Sequence, residues 1–564
     1  MSNAIIQTNY GEYQKLIDDS LKELENKNII QRVWKKDYTV WSDNPAEISN
    51  RLDWLESPED TLSKLSEIKD FVENVKANRF TNILLLGMGG SSLAPEVFSL
   101  TFGVKNGFMN LSVLDSTDPV AVLNFTKKLD PAKTLYIVST KSGGTIETLS
   151  FFKYFFTYCK NKLGKYANKH FIAITDPGSG LEKMAKDLDI RKIFLNNPNI
   201  GGRYSVLSLF GMVPASLIGI DLERFLNNAL AIANECKNAK NISSEIGVAM
   251  AQLAKLGRDK LTFVYSNKIA SFGTWVEQLI AESTGKKGIG IIPIESEELL
   301  SPIFYMNDRV FVYTHLMDDN ANSEKINLLK NAGHPVIEIT LNDEYDLGGE
   351  FFRWEFATAV AGWNLGIQPF DQPNVESAKI EAKAMINSYI QNGELPKLKA
   401  NLVKNGIKIY YDKNISSIKE ALNDFLSNLI DSEKFNYVAI QAYITPNIKT
   451  TETLQNLRTV IQKKYKSAVT VGYGPRFLHS TGQLHKGDAG KGLFIQFTSN
   501  RKEDAEIPKE ISMNTSEFSF GVLINAQLMG DRQALLNNNR KVITIDLGDE
   551  VENNLIKIIE MIIN

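Results

Sequence analysis

Thr134-Leu135-Tyr136-Ile137-Val138-Ser139-Thr140-Lys141-Ser142-Gly143-Gly144-Thr145 is the stretch that decides how this chain folds. Residues 134–139 read as a short apolar strand, and 140–145 are small, hydroxylated and glycine-broken. A helical pattern over 145–159 follows. Strand, glycine loop and helix form the repeating unit of a parallel sheet covered on both faces by helices. Upstream, a strand over 82–86 runs into a second such loop, Gly87-Met88-Gly89-Gly90-Ser91-Ser92. Downstream, strands over 171–175 and 192–195 continue the series, and a helix is predicted over 203–218. A second α/β run has strands at 261–265, 310–314 and 336–340, with helices at 270–282 and 351–363. A third has predicted strands at 407–411, 437–441, 468–471, 493–497, 520–524 and 542–545. Leu16, Ile17, Leu21 and Leu24 recur at helical spacing near the start. The expected fold is therefore α/β, with an N-terminal helical segment (1–78), two doubly wound parallel-sheet domains (79–255 and 256–395) and an additional C-terminal α/β domain (396–564).

Bulk properties narrow the function classes. A chain of 564 residues is too long for one core. Its formal net charge of −3 gives no global field toward nucleic acid or an acidic membrane surface. The first 78 residues mix both signs of charge and show no basic reader helix. No apolar run approaches the roughly 20 residues of a membrane span, and residues 1–10 lack the pattern of a secretory leader. The two cysteines, Cys159 and Cys236, form no C-x-x-C pair, so neither a disulfide framework nor a zinc site is expected. A cytoplasmic protein is expected.

The chemistry concentrates where strands end and helices begin, the usual ligand position in a parallel sheet. In the 139–145 loop, Thr140, Ser142 and Thr145 supply hydroxyls, Lys141 supplies charge, and the glycines let the backbone approach an anion at a helix N-terminus. Taken alone, the loop also reads as a polar turn that caps its helix. Gly89, Gly90 and Ser91 strengthen the anion reading. Their loop is not a dinucleotide fingerprint, because a serine stands at position 92, and no P-loop lysine follows. Gly201-Gly202-Arg203-Tyr204-Ser205 places an arginine where negative charge on an intermediate could be stabilised. Gln278-Leu279-Ile280-Ala281-Glu282-Ser283-Thr284-Gly285-Lys286 puts one carboxylate at the end of an apolar helix. A phosphate cradle with a lone carboxylate base and no metal cluster points to proton transfer on a phosphorylated metabolite.

These four stretches, followed by Pro369-Phe370-Asp371-Gln372-Pro373-Asn374-Val375-Glu376-Ser377-Ala378-Lys379, resemble in order the glucose-6-phosphate isomerase family, built of two sugar-isomerase (SIS) domains. The resemblance covers roughly 80–385. The later run Gly472-Tyr473-Gly474-Pro475-Arg476-Phe477-Leu478-His479-Ser480-Thr481-Gly482-Gln483-Leu484-His485-Lys486-Gly487 is similar to the isomerase half of transaldolase–isomerase fusions. The resemblance implies interconversion of glucose 6-phosphate and fructose 6-phosphate through an enediol, with no cofactor and no metal. It implies a small sugar phosphate as the partner, without nucleic acid or membrane, in a monomer or a homodimer. By the same resemblance, Glu282 is the base, Arg203 steadies the enediolate and Lys379 assists near the ring oxygen. Gly89, Gly90, Ser91, Thr140, Lys141, Ser142, Thr145, Glu147 and Gln372 bind the substrate.

The family also implies a ring-opening histidine, placed in sequence between the base and the late lysine. Here that interval holds His315 and His334, and neither has the expected flanks. His479 is favoured because Gln483 follows four positions later; His485 remains open. The third domain is then expected to deliver His479 into a site that other members complete with a neighbouring subunit. Two rival readings stand beside this one. A non-catalytic sugar-phosphate sensor would need the loops but not Glu282, Arg203 and Lys379 together. An isomerase of broader use would also accept sugars such as mannose 6-phosphate.

Overall fold

The computed structural model describes residues 4–431, 436–513 and 515–564. Its first sheet has five parallel strands in the spatial order Asn110–Leu114, Asn82–Gly87, Thr134–Ser139, Phe171–Thr175 and Lys192–Leu195. The chain starts at Asn82–Gly87, steps to one side for Asn110–Leu114, then crosses to the other for Thr134–Ser139. The strand order reverses there, and Gly87 pairs with Ser139 at the carboxyl ends. Both glycine loops thus leave the sheet at its topological switch point, where open α/β sheets bind ligands.

The second sheet carries four parallel strands, in the order Val336–Leu341, Arg309–Leu316, Lys260–Tyr265 and Ile292–Ile294. Its outer edge is closed by Ile5–Asn9, antiparallel to Val336–Leu341. The opening segment is therefore not helical throughout, and it is no detached arm. Ile17, Leu24, Ile30, Val33 and Trp54 are buried in one core with Phe263, Phe351 and Phe352 of the second unit. The strand is short, and a five-residue alternation gives little periodic signal.

The third sheet runs Leu402–Lys404, Ile407–Tyr410, Lys541–Asp546, Gly492–Thr498, Tyr437–Tyr443 and Ala468–Tyr473, the last four parallel. It has its own core around Ile409, Leu422, Val438, Leu457, Ile495 and Leu555. The strand expected over 520–524 is instead the start of the 18-residue helix Phe520–Asn537, whose N-cap Ser519 accepts from the Val522 N–H. A short apolar run fits a buried strand or a buried helix equally. The hairpin of Glu506–Pro508 and Ser516–Ser519 and the start of this helix reach the first unit: Phe520, Leu523 and Ile507 share a core with Phe151 and Phe155, and with Ile386 of helix Val375–Asn392. Leu535, further along, packs on the third sheet with Ala439, Phe494 and Val542. Among the described residues no helix is long and apolar enough to cross a membrane.

Candidate active site

Helix Phe272–Thr284 presents Gln278 and Glu282 one turn apart on one face. The Glu282 carboxylate is held at both oxygens: Arg203 Nη1 lies 3.1 Å from Oε1, and Gln278 Nε2 donates to Oε2 at 3.2 Å. Arg203 is almost wholly buried, and its Nη2 donates to the Asp371 carbonyl at 2.8 Å and to Gln372 Oε1 at 3.3 Å. Lys286, just past the helix end, closes the same loop. Its Nζ donates to the carbonyls of Gln368 and Asp371 and to Asp371 Oδ1, at 2.7, 2.6 and 2.6 Å. Burial and the neighbouring Arg203 guanidinium push its ammonium down to about 7, against the pull of Asp371.

The two glycine loops meet this cluster by close backbone approach. A Cβ on Gly90 would stand 2.0 Å from the Gly202 carbonyl oxygen, so only glycine lets the first loop touch the turn that carries Arg203. Gly89, at φ +55°, leaves room for Gln278 Nε2 and the His479 carbonyl, each 2.9 Å from where a Cβ would sit. Gln278 Nε2 donates to that same His479 carbonyl at 2.8 Å. One glutamine amide thus links the Glu282 carboxylate to the histidine segment of the third unit.

The His479 ring turns to Glu147, with Nε2 3.0 Å from Oε1. Glu147 stands in the first turn of helix Ile146–Leu163 and is buried. Burial raises its carboxyl, but His479 beside it, its own backbone N–H and nearby Lys379 hold it below the usual range. Glu147, His479, Ser142, Gly144, Thr145 and Lys379 line a cavity of about 610 Å³. Thr145 shares a hydrogen bond of 3.1 Å with Thr140, and Lys379 pairs with Glu376 at its exposed edge.

Not every expected residue converges here. Lys141 turns away to Asp176 and donates to the Pro198 carbonyl at 2.7 Å, so its charge braces the loop instead of lining the cavity. Glu282, Arg203 and Gln372 form a cluster bridged by Gln278 to the histidine segment, and they do not line that cavity. His485 is buried beside Gln441 and Phe494; burial, with Lys486 and Arg540 nearby, holds its pKa well below normal, so it stays neutral. His315 is tied to the Leu316 and Asp319 carbonyls of the second sheet. Sequence reasoning gave no role to Gln278, Lys286, Asp371 or Gln527. The four-residue spacing from Glu282 was available for Gln278; nothing local marks Gln527, which reaches Glu147 from another unit.

Paired doubly wound sheets, a glycine-rich loop at the switch point of the first, and an arginine-held carboxylate on a helix of the second define an α/β protein of the sugar-isomerase type. The family profile "Phosphoglucose isomerase" matches residues 51–295. A probable glucose-6-phosphate isomerase of Methanococcus maripaludis is 32% identical over 59% of this chain and 84% of its own length. A glucose-6-phosphate isomerase of Carboxydothermus hydrogenoformans is 32% identical over 57% and 82%. Among solved structures, a glucose-6-phosphate isomerase from Chlamydia trachomatis superimposes with a TM-score of 0.56 at 18% identity, covering 70% of this chain and 89% of that one. The chain belongs to the phosphoglucose isomerase family.

Proposed function

We infer that this protein is an aldose–ketose isomerase that interconverts glucose 6-phosphate and fructose 6-phosphate, as its family membership indicates. The observation that carries the reading to the residues is the Glu282 carboxylate, fixed by Arg203 and Gln278 and one glutamine away from the His479–Glu147 pair. In this assignment, His479 moves a proton in ring opening and Lys379 assists at the ring oxygen. Glu282 takes the proton from C2 of the open aldose and returns it to C1, so one base serves both carbons. Arg203 lies against that carboxylate and offsets the charge on the enediolate oxygen. Ser142, Thr145 and the N-terminal end of helix Ile146–Leu163 receive the phosphate. Gly89, Gly90 and Ser91 lie outside the lining of the cavity beside Glu147 and His479, in the loop that meets Gln278 and the Arg203 turn. Gln372 reaches the site through Arg203. A cytoplasmic setting fits the two free, buried thiols.

A coupled assay for glucose 6-phosphate formed from fructose 6-phosphate, on wild type and Glu282→Gln, tests the reading. Wild type turns over, and the variant loses roughly 10²–10⁴-fold in kcat, the usual weight of a positioned base, while still binding fructose 6-phosphate. Tight binding without turnover in the wild type would leave a sugar-phosphate sensor.

A further inference from the structure

Gln527 lies on helix Phe520–Asn537, outside every motif that marks the family, yet it lines the cavity beside His479. It is buried, and its amide is oriented from both ends. Thr117 Oγ1 donates to its Oε1 at 2.7 Å, which leaves Nε2 to donate to Glu147 Oε1, also at 2.7 Å. That is the same carboxylate oxygen that faces His479 Nε2. His479 and Gln527, 48 residues apart, converge on one oxygen of Glu147, and Thr117 holds the far end of the Gln527 amide. Thr117 follows the edge strand of the first sheet, Glu147 opens the helix after the anion loop, and Gln527 and His479 come from the third unit.

Two donors on one oxygen have two effects. They fix the rotamer of Glu147, since turning the carboxyl would leave a buried amide unpaired. They also divide the basicity of that oxygen, so that it holds the histidine ring without drawing its proton fully away. With Nε2–H on Glu147, Nδ1 is the nitrogen left for a bound sugar.

We propose that Gln527 is a positioning residue for ring opening: through the Thr117–Gln527–Glu147 chain it sets the orientation and proton affinity of the Glu147–His479 pair. The inference rests on the ring-opening role given to His479. Other charged groups near the pair are Lys379, near Glu147, Asp115, near His479, and Lys486, which lines the same cavity and is paired with Asp531.

The test compares two substrates. Fructose 6-phosphate must be opened, whereas 5-deoxyfructose 6-phosphate lacks the hydroxyl that closes the ring and needs only the proton shuttle of Glu282. In Gln527→Leu, kcat on fructose 6-phosphate falls roughly tenfold, with the acid limb of its pH profile displaced to higher pH as Glu147 regains basicity. Turnover of the acyclic substrate stays within about twofold. Gln527→Glu, which sets a second carboxylate against Glu147, moves the acid limb further in the same direction. Equal losses on both substrates, or an unmoved profile in both variants, would overturn the proposal. His479→Ala separates the two layers of the argument. If it fails to discriminate between the substrates, the ring-opening assignment itself falls. If it discriminates and the Gln527 variants do not, only the role of Gln527 falls.

Discussion

At the scale of single residues, Lys286 shows how a buried charge can tie a site together. Three acceptors surround its Nζ, and only an ammonium has three N–H groups to fill them. Burial and Arg203 nonetheless push its proton affinity down to about 7, while Asp371 and Glu282 pull it up. An unfolded lysine keeps its proton to about 10.5, so between about 7 and 10.5 the unfolded chain binds more protons than the folded one. The contribution of this group to stability therefore rises with pH across that window and is least below 7, where both states are protonated. The difference in unfolding free energy between wild type and Lys286→Met is expected to grow from pH 7 to pH 9, by up to about 1.4 kcal/mol per unit. Denaturant titrations at pH 7, 8 and 9 check it, and a constant difference would contradict it. None of this was legible in the sequence, where Lys286 closes a motif without a partner. Its partner, Asp371, lies 85 residues away in sequence and meets it only through the fold. Glu282 and Arg203 could be singled out because their flanking residues resemble family motifs, and His479 because Gln483 follows four positions later. Lys141 was misread for the opposite reason: a lysine in an anion loop looks like a ligand, and only tertiary structure shows Asp176 waiting behind it.

At the scale of elements, the regular alternation of strand and helix could be read because buried parallel strands give continuous apolar runs. The failures have physical causes. Asn110–Leu114 and Ile292–Ile294 are short edge strands whose pairing comes from neighbours more than from composition. Phe520-Gly521-Val522-Leu523-Ile524 looks like a strand until the helix beyond it is seen to reach Asn537. What the elements do that no pattern shows is touch backbone to backbone. The end of helix Phe272–Thr284 meets the helix Gly482–Gly487 so closely that a Cβ on Gly285 would lie 2.3 Å from Leu484 Cα, and one on Gly487 would lie 2.2 Å from the Gly285 carbonyl oxygen. Gln483 bolts the contact, donating to that carbonyl and to Asn374 Oδ1 at 2.8 Å each. Gly285→Ala must push the two helices apart. It is expected to destabilise the protein by about 1–3 kcal/mol, the usual cost of overpacking, and to lower isomerase activity because His479 precedes the displaced helix by three residues. Urea unfolding and the coupled assay together test this; full activity with unchanged stability would show that the contact is slack.

At the scale of the whole molecule, the question is why a third α/β unit is attached to two sheets that already hold Glu282 and the glycine-rich loops. The ion pairs between units give one answer. Arg476 reaches Glu96 and Asp115, Arg501 and Thr445 both reach the buried Asp118, and Lys491 reaches Asp259. Arg501 and Asp118 are nearly fully buried, so replacing either one alone would strand the other's charge in the docked interface, at roughly 3–5 kcal/mol. Docking is thus specific, and what it docks is the His479–Gln483 segment, set against Glu147 and Gln278 of the same chain. A site completed within one chain behaves differently from one completed between subunits. If histidine and base came from different chains, mixing His479→Ala with Glu282→Gln would form some sites with both residues intact, and activity would return. With both residues delivered in cis, every site retains one defect whatever the oligomeric state, so the mixture should show no more than the sum of the two residual activities. Mixing after unfolding and refolding together gives the same expectation and removes slow subunit exchange as an explanation. Recovery toward a quarter of wild-type turnover would mean instead that the histidine crosses between chains, and that the contact of His479 with Glu147 forms in trans.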